Sequence, residues 1–289
     1  LQTANVAFSV ALDDECLHAA VTYAAAKARP RRRRKSVWLK ATHAVMETPK
    51  RVVATVLATV LLTSGFTVSA AAKDVLYVQN TTSGDVSIVD PVALSVVGTI
   101  PVGLYPDDVV SSPDGRWIYV NRIDSAGIPG APAVGDTGEV VAISTATNQI
   151  VWRVRTDGMP HHMTVSPDGT KIFVGSMFGD DVTIYDVATQ KPVGHIPFAS
   201  GVRPFAITAD QKTMYVQRSR LHGFDVVDIA SQKVLRTVDL PALPPGTKLP
   251  QFLPHTVNHG IALSHDGKLL LANGSIANYV VAYSVPDGP

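Results

Sequence analysis

Cysteine is almost missing: Cys16 is the single one among 289 residues. This excludes a disulfide framework, a CxxCH haem attachment and a thiolate zinc site. Any metal would have to be held by His, Asp, Glu, Asn or carbonyl oxygen. Neither sign of charge is in excess. Lys+Arg number 25 and Asp+Glu 24, a formal net of +1, which argues against nucleic acid as the main partner. The balance hides one asymmetry. Arg29, Arg31 to Arg34 and Lys35 form a basic block near the N-terminus, and the remainder is mildly acidic. Several motifs are absent too: the D-x-D-x-D-G calcium loop, the GxSxG elbow, HExxH and the phosphate-binding glycine loops. Beyond residue 73 no stretch has convincing amphipathic-helix spacing.

The first methionine is Met46, where the chain reads METPKRVVATVLATVLLTSGFTVSAAAKD. Lys50 and Arg51 form a short positive region, Val52 to Leu62 an apolar core, and Ala70-Ala71-Ala72 a small-residue cleavage site. This is the pattern of a secretory signal peptide over 46–72. An uncleaved membrane anchor is the rival, because the uncharged run from Val52 to Ala72 is long enough to span a bilayer. The Thr, Ser and Gly content and the small-residue end favour cleavage. Either way the remainder is expected to be exported, periplasmic or secreted, with no stable membrane association once the signal is cleaved. Residues 1–45, which carry RPRRRRK, are read as a non-native or misassigned upstream segment rather than a basic arm, and are set aside from the fold.

After Lys73 the chain repeats itself. SPDGRWIYV (Ser112 to Val120) and SPDGTKIFV (Ser166 to Val174) recur, degraded, as TADQKTMYV (Thr208 to Val216) and SHDGKLLLA (Ser264 to Ala272). Asp114, Asp168, Asp210 and Asp266 mark the phrase. Two long intervals hold Pro- and Gly-rich insertions, Ile123 to Asp136 and Pro241 to His255, which read as loops. Each unit contains four strand-like pieces, for example HHMTVS, KIFVGS, DVTIYDVAT and KPVGHIPF. Pro-Asp-Gly joins the first pair as a hairpin turn. Alternation of Val, Ile, Phe and Tyr with polar residues fits strands that lay one face on the next sheet. Repeated four-stranded sheets of this length predict an all-β fold, a β-propeller over 73–289.

YVQN (Tyr77 to Asn80), YVNR (Tyr119 to Arg122), FVGS (Phe173 to Ser176) and YVQR (Tyr215 to Arg218), with their S/T-x-D-G turns, resemble the YVTN-repeat β-propeller family. That resemblance covers about Asp74 to the C-terminus and points to lactonase-like and cytochrome-d-haem-like seven-bladed proteins. It specifies fold well and function poorly. About five blades are visible: three strands from Val75 to Val102, three complete blades, and three strands from Asn258 to Val285. The expectation is a truncated seven-bladed propeller, with a smaller closed propeller as the alternative.

Aligned on the turn aspartate, Asp107, His161, Arg203 and His259 stand seven residues before it, and Asp108, His162, Pro204 and Gly260 six before it. The first set begins the innermost strand of each blade, so its side chains converge on the central channel. A metal reading gives Asp107, His161 and His259 as ligands of a divalent cation such as calcium. A catalytic reading gives His161, His259 and Arg203: a neutral histidine as general base, Arg203 on a carbonyl or anionic oxygen. The plain alternative is a wet channel mouth whose polar residues do no chemistry. His162, next to His161 in a strand, should point to the opposite face, against a neighbouring blade, and not ligate.

His255 lies on an insertion that covers the channel in one reading, which makes it a second substrate-binding candidate beside Arg203. Asp180–Asp181 is a turn-forming pair before a third strand. His195 and His222 show no partners in the sequence. Trp117 and Trp152 are expected in inter-blade packing. Three functions follow. The preferred one is a lactonase-like hydrolase acting on a lactone in the central channel, with a divalent metal as an optional aid. The second is a non-catalytic propeller that binds a small ligand, a cell-wall component or a protein. The third is a redox propeller with non-covalent d-type haem, for which His161 or His259 would be the axial ligand.

Overall fold

The repeated turn builds the sheets. Ser112 Oγ donates to Asp114 Oδ1 at 2.6 Å and accepts from the Trp117 N–H at 3.0 Å. Ser166 with Asp168 and Lys171 repeats this at 2.6 and 2.9 Å, and Ser264 with Asp266 and Leu269 at 2.7 and 2.9 Å. The glycine that follows each aspartate sits at φ near +70°, a region glycine enters without strain. In the degraded phrase Gln211 takes φ 60° instead, and its side chain bonds to Asp168 of the preceding turn.

The structure, a computed structural model, describes residues 6–13, 16–20, 74–124, 137–243, 245–247, 258–274 and 279–285. The segment 46–72 read as a signal peptide, His255 and most of both insertions lie outside them. Blade one holds β1 (Val6–Asp13), β2 (Cys16–Ala20), β3 (Leu76–Asn80), β4 (Asp85–Asp90) and β5 (Ser95–Pro101). Blade two is β6 (Pro106–Ser111), β7 (Trp117–Ile123), β8 (Gly138–Ser144) and β9 (Gln149–Thr156). Blade three is β10 (Pro160–Val165), β11 (Lys171–Ser176), β12 (Asp181–Asp186) and β13 (Pro192–Pro197). Blade four is β14 (Val202–Ile207), β15 (Thr213–Arg218), β16 (Gly223–Asp228) and β17 (Lys233–Asp239). Blade five is β18 (Ile261–Leu263), β19 (Leu269–Gly274) and β20 (Tyr279–Ser284).

Blades two to five are antiparallel meanders in chain order, and the fold is a β-propeller. Its inner strands β6, β10, β14 and β18 stand beside one another in sequence. Blade one differs. Its order is β2-β1-β3-β4-β5, and β1 pairs parallel to β3 through Val6↔Leu76 and Phe8↔Val78. The upstream segment set aside in the sequence reading therefore supplies two strands, one of them beside β6.

Each interface between consecutive blades is one apolar core. Tyr77, Ile88 and Ile100 of blade one meet Val109, Ile118 and Ile143 of blade two. Tyr119 and Val140 meet Met163, Ile172 and Tyr185, with Trp117 and Trp152 packed against them as expected. Phe173, Val182 and Ile196 meet Val202, Phe205 and Met214. Tyr215, Phe224 and Val238 meet Leu270 and Ala272. The second strands of blades two to four are thus covered on both faces, which explains the apolar runs WIYV, IFV and MYV. The outer strands β5, β13 and β17 bury one residue each, Ile100, Ile196 and Val238. Burying such a side chain contributes about 1.5–3 kcal/mol.

Ser166, then the Thr170 N–H and Gln211, hold the Asp168 carboxyl well below the usual carboxylate range. The ionised form therefore stabilises the turn above about pH 4, and that contribution is lost as pH falls below it. Thermal melts followed by circular dichroism should show a midpoint that drops on acidification. Asp168→Asn should melt lower at pH 7 and show a shallower acid slope.

Candidate functional site at the channel mouth

The inner strands share a defect at the same place. The ladder skips between Pro106 and Asp108 in blade two, between Pro160 and His162 in blade three, and between Val202 and Phe205 in blade four. Two residues oppose one at such a bulge, the strand bends, and a side chain is re-aimed. Proline fits here because it has no N–H to give: Pro106 and Pro160 begin their strands and Pro204 lies inside its bulge. The skipped residues Asp107, His161 and Arg203 are three of the four aligned on the turn. The fourth, His259, lies two residues before β18.

The structure brings all four together. His161 Nδ1 lies 2.8 Å from Asp107 Oδ2, and its Nε2 lies 3.0 Å from His259 Nε2. The two imidazoles meet edge to face, with centroids 5.1 Å apart. Arg203 Nη1 reaches His161 Nε2 at 3.4 Å. Ser219 Oγ accepts from Arg203 Nε at 3.1 Å, and Met177 Sδ lies 2.7 Å from Nη1. A guanidinium only donates, so His161 Nε2 is the lone-pair nitrogen. Nδ1–H then donates to Asp107, and His259 Nε2–H donates to His161. These proton positions follow from the bonding network.

Burial decides the electrostatics. Arg203 is 5 % exposed and forms no ion pair with a carboxylate among the described residues. Burial lowers its guanidinium to about 10, and the charge of Asp107 works the other way. His259 is pushed well below 6.5 by burial, then by neighbouring His161 and Arg203. It is neutral at pH 7.

His162 faces away, as strand alternation requires. Its Nδ1 lies 3.1 Å from Asp108 Oδ2, its Nε2 lies 3.2 Å from Phe205 O, and its ring meets the Phe205 ring at 88°. It ties the inner strands of blades two, three and four. Two expectations are corrected. His195 does have a partner, Asp181 Oδ2 at 3.2 Å across β12 and β13. His222 Nε2 lies 2.8 Å from Tyr279 Oη and 2.9 Å from Pro241 O. Both are local ties away from the ring. Ser219 and Met177 were not singled out in the sequence. Each lies just beyond a second strand, where turn residues carry no signal of what they face.

As a metal site the cluster is poorly matched. Among the described residues no group of three or more His, Cys, Asp and Glu is disposed to hold an ion. Asp107 and both imidazoles are spent on one another.

No family model matches the chain. Antigen Lp49 of Leptospira interrogans is 23 % identical over 145 residues, 50 % of this chain and 30 % of that protein. Hydrazine synthase of Kuenenia stuttgartiensis superposes with a TM-score of 0.53 at 20 % identity, over 68 % of this chain and 51 % of that one. The dihydro-haem d1 dehydrogenase NirN, solved in complex with DHE, gives 0.53 at 17 %, over 76 % and 44 %. The chain thus spans about a third of that curated relative and about half of each solved structure. These likenesses show the fold.

NMR titration of the histidine ring protons checks the electrostatics. The His259 signal should stay unmoved from pH 8 to pH 6, because protonation is displaced well below 6.5. A midpoint near 6.5 would contradict the burial of the ring.

Proposed function

We propose that the protein is an exported hydrolase that opens lactone rings at the channel mouth. One observation carries the reading: the Asp107–His161 pair, whose second nitrogen lies beside a buried guanidinium that has no carboxylate ion pair among the described residues. Asp107 fixes the tautomer of His161. His161 Nε2 takes a proton from water, and the hydroxide attacks the lactone carbonyl carbon. The carbonyl oxygen becomes an oxyanion and accepts from Arg203, with His259 Nε2–H as a second donor. When the ring C–O bond breaks, the leaving alkoxide takes the proton from His161, and a hydroxy acid departs. Water and ligand must displace the resting contact between the two imidazoles. No step needs a metal, and none is routed through one.

Purified protein should hydrolyse acyl-lactones, and chelator should leave turnover unchanged. His161→Ala should lower kcat/KM by about 100-fold or more, and Arg203→Met by about 100-fold, each with an unchanged far-UV spectrum. Full turnover in both His161→Ala and His259→Ala would sink the assignment.

A second reading rests on NirN, which is named for a dihydro-haem d1 and was solved with DHE. A tetrapyrrole bound at the mouth would be held by a ring nitrogen of neutral His259 and, through a carboxylate, by Arg203. Bound there, it would supply electron-transfer chemistry. A Soret band in the purified protein, lost in His259→Ala, would put this reading first. With neither turnover nor chromophore, the propeller is a binding module.

A further inference from the structure

The second strand of each blade carries, two residues after the aromatic or leucine of its YVQN-like phrase, Gln79, Asn121, Gly175, Gln217 or Asn273. The first, second and fourth are 1 %, 0 % and 0 % exposed. Their bonds form a pattern. Gln79 Nε2 donates to Asp107 O at 3.1 Å, and the Asp108 N–H donates to Asn121 Oδ1 at 2.6 Å. The Gly260 N–H donates to Gln217 Oε1 at 2.8 Å, and the His259 N–H to Asn273 Oδ1 at 2.9 Å. A glutamine, one methylene longer, reaches the inner strand of the next blade. An asparagine reaches the inner strand of its own. Two segments of the ring are therefore held from both sides, that of Asp107 and that of His259.

These are also the two ends of the side-chain chain Asp107–His161–His259. His161, in the middle, is gripped through its own ring nitrogens, and Arg203 through Ser219. Asp107 and His259 depend also on where their backbone stands, and there the ladder is interrupted or has not begun. A bulge strips N–H and C=O groups of their ladder partners, and leaving a buried group without a partner is destabilising. The amides supply the missing partners. Gly260 fits the arrangement, since a Cβ there would lie 3.1 Å from Asn273 Nδ2. Blade three has no amide. A Cβ on Gly175 would lie 2.6 Å from Val202 Cγ1, so the next blade fills that place.

We propose that Gln79 with Asn121, and Gln217 with Asn273, are positioning pairs that set the two ends of the Asp107–His161–His259 chain. The proposal rests on the reading of the ring as the site of hydrolysis, but it has a readout of its own. The pairs act with opposite polarity: Gln79 donates to a carbonyl, whereas Gln217 accepts from an N–H.

The experiment measures kcat, KM and the His259 NMR titration for Gln217→Met, Gln217→Glu, Gln79→Met and Gln79→Glu, each in full-length protein with its melting midpoint. In Gln217→Met, kcat should fall about 10–100-fold with KM little changed, and the His259 midpoint should rise toward 6.5. Gln217→Glu keeps an acceptor oxygen for the Gly260 N–H, and should recover kcat relative to Gln217→Met. Gln79→Glu sets an acceptor against Asp107 O, and should be no better than Gln79→Met. A raised His259 midpoint in folded Gln217→Met, in protein that turns over no lactone, supports the positioning role and overturns the hydrolase reading alone. A folded Gln217→Met with unchanged kcat and an unchanged His259 midpoint overturns the positioning role.

Discussion

The site depends on a bulge. In a regular strand Asp107 and Asp108, or His161 and His162, would point to opposite faces with equal claims. The skip in the ladder gives the two residues of each pair different jobs. One turns into the channel. The other stays between blades, where Asp108 accepts from the Met163 N–H at 3.0 Å and His162 reaches Phe205 O at 3.2 Å. The same event thus builds the functional ring and fastens the inner strands. A change that straightened one inner strand would cost both.

The blades were legible because their signals are local. The S/T-x-D-G phrase needs only a hydroxyl, a carboxylate and a residue at positive φ within a few positions, and the pattern of apolar residues places the strands around it. The ring members were legible by alignment, since equivalent residues of successive blades must approach one axis. What the alignment could not supply was distance. His161 and His259 are 98 residues apart, and their 3.0 Å contact crosses Arg203 of the blade between them. Whether such side chains face a metal, a ligand or one another depends on the bulge and on the blade angles, and neither has a local signature. The strands β1 and β2 were missed for a different reason. They precede the first methionine, and the reading excluded them on processing grounds rather than on strand character.

The blade cores explain why Arg203 is buried within the ring. Large side chains such as Tyr119, Phe173 and Phe224 fill the inter-blade spaces, and the inner strands are drawn close to one another. The polar residues that must line the channel then sit among apolar neighbours. The guanidinium of Arg203 and the imidazole of His259 both respond, each displaced toward its uncharged form. In a solvated mouth these groups would be interchangeable polar lining. Low solvent access strengthens their mutual influence, since charges interact more strongly there than in water.

The order of the four residues matters more than their presence. Had Arg203 and Asp107 met directly, they would have formed a buried ion pair, each satisfying the other. His161 stands between them instead, with the carboxylate on one nitrogen and the guanidinium near the other. Asp107 accepts from Nδ1, and the donors of Arg203 point at Nε2. An oxyanion forming beside Arg203 would bring a negative charge to that side as His161 takes up the proton from water. The two charges would then act in sequence across one ring. A plain salt bridge at the same mouth has no such asymmetry, and neither has a ring of solvated side chains.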